Sequence, residues 1–104
     1  MDTKTLISLS KAKFAYHSNK QYLKEKYLSK LIIAEQGGMW LITPEFLTFL
    51  LTLNQNNINE MIIMDKNNIP VKVDVSSLLK ISKHTYETTM NDWYNELQEL
   101  ENLR

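Results

Sequence analysis

The 104-residue chain has no cysteine and only two glycines, two prolines and two histidines. Without cysteine there can be no disulfide framework, no thiolate metal site and no cysteine nucleophile. The longest apolar stretches, Met39 to Ile42 and Phe46 to Leu53 with its threonines, fall far short of the roughly 20 residues that span a bilayer. The first residues show no basic-then-apolar leader. The chain is therefore expected to stay inside a cell or a particle, with no membrane partner and no secretion by a signal peptide. Net charge is missing too, since 12 basic side chains balance 12 acidic ones.

That zero is a sum of opposites. Residues 1 to 34 carry seven lysines against Asp2 and Glu25, a net of +5, whereas residues 84 to 104 carry five carboxylates against Arg104, a net of −4. A basic end and an acidic end of one small chain are either two separate surfaces or two halves of one internal contact.

The scarce glycines and prolines divide the chain. Gly37 and Gly38 stand together, and Pro44 and Pro70 flank the centre, which leaves two uninterrupted terminal stretches. In the first, Leu9, Ala12, Tyr16, Leu23, Tyr27, Leu31 and Ala34 recur at spacings of three, four or seven, with Lys20 in the gap. This is the period of an amphipathic helix, predicted over residues 4–35 and ended by the glycines. In the last, Leu79, Tyr86, Met90, Trp93, Leu97 and Leu100 repeat the pattern behind Asp74, an N-cap, with Ser76 and Ser77 as a polar first turn. The spacing predicts a second long helix over 75–103. Two helices of similar length, one lysine-rich and one glutamate-rich, read as an antiparallel two-helix coiled-coil stalk. Such pairing would set His17 opposite the region from Trp93 to Leu97.

Residues 39–73 read as a small α/β head. Met39 to Ile42 is a short strand. Thr43-Pro44-Glu45 opens a helix through about Leu53, whose apolar residues nearly encircle it and so require cover on more than one side. Met61 to Met64 and Ile69 to Val75 form a hairpin around Asp65-Lys66-Asn67-Asn68, with Pro70 at an edge or a strand start. The expected fold is a single α+β domain over 1–104, a two-helix stalk bearing a head of one short helix and a β-hairpin or three-stranded sheet.

Chemistry is sparse. Asp65 to Asn68 resembles a calcium loop only superficially, because it lacks the central glycine and has Ser76 where a bidentate glutamate belongs. No glycine-rich phosphate loop, His-Glu helix motif or nucleophile elbow occurs. The chain reads as non-enzymatic, with no catalytic residue, metal or cofactor. Lys20, Lys24 and Lys26 are the candidate nucleic-acid contacts, but the sole arginine is Arg104, and bidentate phosphate contacts and groove readout favour arginine. A nucleic-acid partner is therefore not the expected one.

Gly37-Gly38-Met39-Trp40 with Ile42-Thr43-Pro44-Glu45-Phe46, the run from Asp65 to Asp74, and Tyr86-Glu87 with Met90-Asn91-Asp92-Trp93-Tyr94 and Leu97 together resemble a group of small proteins from tailed phages of the T-even type. The resemblance covers residues 37–104. It implies a phage-encoded virion, assembly or host-takeover protein, located in the host cytoplasm or the virion, and brings no catalytic residues with it.

The expected function is structural or assembly work through protein–protein contacts, with a homo-oligomer, another phage protein or a host protein as partner. The alternative is a small module that inhibits or redirects a host protein. Candidate interface residues are Phe14, Leu28, Ile32, Tyr94 and Leu103, which fall off the seams, and Trp40, Met61 and Met64 in the head, since aromatic and methionine side chains anchor many interfaces.

Overall fold

A computed structural model describes residues 18–102. Three helices and two small antiparallel hairpins make an α+β fold. In chain order these are α1 (helical residues 18–30), β1 (Ile32–Glu35), β2 (Gly38–Leu41), α2 (Pro44–Gln55), β3 (Glu60–Met64), β4 (Pro70–Asp74) and α3 (Val75–Asn102).

The first helix departs from expectation at its C-terminal end. It stops at Lys30, and residues 32–35 are a strand instead of its last turn. Leu31 closes the helix with a tight bond from its N–H to the Leu28 carbonyl (3.2 Å), and the β-branched pair Ile32-Ile33 favours the extended chain that follows. The glycines do not cap a helix. Gln36 (φ 51°) and Gly37 (φ 83°) are the two central residues of a hairpin turn joining Glu35 to Gly38, and positive φ at both is what a two-residue hairpin loop demands. The part of the predicted helix before residue 18, with Leu9, Ala12, Tyr16 and His17, lies outside the described residues. α1 runs against α3 in the opposite direction: Tyr27 stacks on Trp93 (6.0 Å), while Leu31 joins a core that contains Leu78. Lys20, Gln21 and Lys24 face Trp93 and Leu97, the region of α3 expected opposite His17.

The strands form two two-stranded sheets, not one sheet of three. β1 gives β2 a partner of its own, in register Ile33↔Trp40 and Glu35↔Gly38. β3 pairs with β4 in register Met61↔Val73 and Ile63↔Val71. The sheets meet where the Lys66 N–H donates to the Met39 carbonyl (2.7 Å). α2 begins as its sequence dictates, with the Thr43 hydroxyl accepting from the Phe46 N–H (3.1 Å) and Pro44 in the first turn. It ends in a Schellman motif, in which Asn57 (φ 60°) donates to the Asn54 carbonyl and Ile58 to the Leu53 carbonyl. Asp74 caps α3 by accepting the Ser77 N–H (3.1 Å).

The core is built on Trp40, which is 1% exposed. Its indole N–H donates to the Glu35 carbonyl (2.9 Å), and its ring lies on Phe46 (centroids 5.8 Å apart). Around it close Leu31, Ile42, Leu50, Val73, Val75 and Leu78. Only Leu50 and Leu53 of α2 are fully buried, and Phe49 and Leu51 remain exposed. Among the described residues the helix is therefore covered on one side, not all round. On α3 the expected seam residues from Leu79 to Leu100 are half-buried. The most buried line runs beside them, through Val75, Leu78, Ser82 and Thr89.

Two predictions follow from this packing. A Cβ on Gly38 would lie 2.9 Å from the Trp40 ring and 3.2 Å from Val71, so Gly38→Ala is expected to cost about 1–3 kcal/mol in urea unfolding. The Ser82 hydroxyl is fully buried and has no hydrogen-bond partner. Ser82→Ala should therefore leave stability unchanged or raise it by about 1 kcal/mol. A clear loss on that substitution would show that the hydroxyl is satisfied.

Candidate interaction surface

Strand parity decides which side chains of the β3–β4 hairpin face outward. Met61 and Ile63 stand opposite Val73 and Val71 and share the core side. Ile62 and Met64 take the other face, where they are 66% and 57% exposed. Ile69, beside the turn, is 55% exposed. With Phe49 and Leu51 on α2, the head presents more large apolar side chains to solvent than its own core can absorb.

Of the residues expected at an interface, Met64 and Tyr94 (62%) are well exposed, Met61 and Leu28 are marginally so, and Ile32 is half-buried in β1. Trp40 must be corrected. It is the centre of the core, because β1 and α2 close over it, and it offers no surface to a partner. Phe14 and Leu103 lie outside the described residues. Met61 and Met64, expected together because methionine anchors many interfaces, have opposite parity, and the more exposed Ile62 and the exposed Ile69 were not among the expected residues. Alternation against Val71 and Val73 was the signal that could have found Ile62.

The hairpin is held by Asp65, a buried carboxylate. Its Oδ1 accepts the N–H groups of Asn67 and Ile69 (2.9 Å each), and its Oδ2 accepts the Met39 N–H from β2 (3.2 Å). The bond from the Ile69 N–H, assisted by those of Met39 and Asn67, holds the carboxyl below its ordinary pKa against the opposing effect of burial. The turn uses this side chain for main-chain closure.

The candidate lysines divide. Lys20 and Lys24 are exposed and line an open groove of about 470 Å³ with Gln21, Trp93 and Leu97. Lys26 instead turns inward to Glu96 (2.7 Å), which also accepts the Tyr27 hydroxyl. The Lys26 and Lys30 ammonium groups sit 5.1 and 4.9 Å from the Tyr27 ring centre. The hydrogen bond to Lys26, and then that to Tyr27, holds the Glu96 carboxyl below its ordinary pKa. The bond to Glu96 raises both Lys26 and Tyr27 above theirs.

No protein-family model matches this chain, and no curated protein or solved structure is significantly similar to it. No helix among the described residues is long and apolar enough to cross a membrane.

The signs of these shifts fix a pH prediction. Glu96, with its pKa lowered, stabilises the fold above its ordinary value of 4.5 and loses that contribution as pH falls through the folded value. Lys26, with its pKa raised, contributes fully below 10.5 and loses its contribution as pH rises through its folded value. Glu96→Gln should therefore lower Tm most near neutrality. Its gap from wild type should close in strong acid and again in strong base, as read by calorimetry across pH. A gap independent of pH would mean that the ion pair is not its source.

Proposed function

We propose that this chain is a non-enzymatic protein that works in assembly through protein–protein contacts, in the phage setting implied by the resemblance of residues 37–104. The observation that carries this reading is the exposure of large apolar side chains on the head, Ile62, Met64 and Ile69 of the hairpin at more than half and Phe49 and Leu51 on α2. A small domain that leaves such residues uncovered has a surface suited to a partner. In the same reading α1 and α3 form the head-proximal part of an antiparallel two-helix stalk, supported by the Tyr27–Trp93 stack and the Lys26–Glu96–Tyr27 cluster.

A second reading, nucleic-acid binding, draws support from the groove where Lys20 and Lys24 adjoin Trp93, a pairing of cation and aromatic ring suited to a single strand. Lys26 contributes less to it, being engaged by Glu96. Capture and inhibition of a host protein would use the same apolar surface as assembly.

The test is to recover the tagged chain from cells that express it together with its neighbouring genes. A stoichiometric complex is expected, lost in Phe49→Asp and Ile62→Asp variants that remain folded. A chain recovered alone as a monomer, or a complex indifferent to both substitutions, counts against the assembly reading. Binding to DNA or RNA that weakens steeply with salt and with charge removal at Lys24 would favour the second reading.

A further inference from the structure

The two edges of the β3–β4 hairpin are not alike. Val75 donates to the Asn59 carbonyl and Asp65 to the Ile69 carbonyl, so the residues bonded across the hairpin are the odd-numbered ones, Met61 with Val73 and Ile63 with Val71. The N–H and C=O groups of Glu60, Ile62 and Met64 consequently point out of the β3 edge. Those of Pro70, Lys72 and Asp74 point out of the β4 edge.

The β4 edge is guarded. Pro70 has no N–H to offer, and the Gln36 amide occupies Asp74 at both groups, accepting its N–H (2.7 Å) and donating to its carbonyl (3.2 Å). Proline and a side chain laid over the main chain are devices that keep an edge from pairing. The β3 edge has neither. No described residue bonds to its outward groups, and its side chains are the exposed Ile62 and Met64.

We propose that the β3 edge pairs with the β3 edge of a second copy of this chain, antiparallel about a two-fold axis at Ile62, making one four-stranded sheet from two hairpins. This deepens the assembly reading above by naming its surface, symmetry and partner. In that register Ile62 faces Ile62 of the other copy and Glu60 faces Met64, each pair exchanging two main-chain hydrogen bonds. Charge favours a like partner. The one charge on β3, Glu60, is balanced within its own hairpin by Lys72 (3.2 Å), no like charges come opposite one another, and the chain as a whole is neutral. Pairing through one five-residue strand makes a smaller interface than the roughly 1,200 Å² of a stable complex, so the dimer is a weak and readily reversible one.

The experiment is sedimentation equilibrium of the purified full chain, with hydrogen exchange measured at low and high protein concentration. A monomer–dimer equilibrium is expected, and the Ile62 and Met64 amides should become protected only at high concentration. Ile62→Pro removes an outward N–H without touching the hairpin's own bonds, and Ile62→Lys sets two like charges at the axis. Each should weaken association about tenfold or more while retaining the wild-type circular dichroism. A wild type that stays monomeric at high concentration overturns the proposal. So does a dimer whose Ile62 and Met64 amides exchange freely, or a folded variant that associates as the wild type does. A monomer would leave the assembly reading standing with a different chain as partner, whereas a dimer recovered with no other protein in the experiment above would leave the pairing standing and remove assembly with a different chain.

Discussion

The head depends on one carboxylate. A two-stranded hairpin alone in water is marginal, and this fold contains two of them with no shared ladder. Asp65 closes the turn of one with Oδ1 and takes the Met39 N–H of the other with Oδ2, while the next residue returns a bond to the Met39 carbonyl. Both main-chain groups of Met39 are thereby satisfied by a single dipeptide. With the hairpins locked at this point, Trp40 can lie over Gly38, which also adjoins Val71, and α2 and α3 have a surface on which to pack.

The parts of this arrangement that were legible in the sequence carry their cause within a few residues. Thr43-Pro44-Glu45 starts α2, Asn56 and Asn57 end it, and Val71 and Val73 alternate through β4. β1 was not legible, because the apolar period from Leu23 to Leu31 continues in step through Ala34 and local spacing cannot tell a last helical turn from a strand. Its partner β2 decides the matter. Asp65 looked like any turn aspartate, since its bond to Met39 spans 26 residues. At the interaction surface, exposure of Met64 was readable from type and position, whereas Ile62 needed the hairpin register and Trp40 needed knowledge of what folds over it.

The packing between α1 and α3 is less apolar than the spacing of leucines and aromatics implied. Ser82, Thr89 and Glu96 stand seven residues apart on α3, the first two buried and the third half-buried, where it meets Lys26 and Tyr27 of α1. Polar groups on a helix seam give up adhesion in return for a defined register. Glu96 does this through two donors on adjacent residues, Lys26 and Tyr27, which no sliding of the helices by a turn could preserve. The charge asymmetry between the chain's two ends is in part this internal contact.

β4 passes into α3 with no intervening loop, Asp74 ending the strand and Val75 beginning the helix. At that joint the Gln36 amide holds the Asp74 main chain, the Asp74 carboxylate holds the Ser77 N–H, and Asn59 holds the Val75 N–H. The 28 residues of α3 make a lever about 42 Å long at the ordinary helical rise, with its fulcrum clamped from three sides. A sideways load on its far end is shared between the α1 contacts at Trp93 and Glu96 and the clamped joint at the hairpin, the same element that bears the open strand edge.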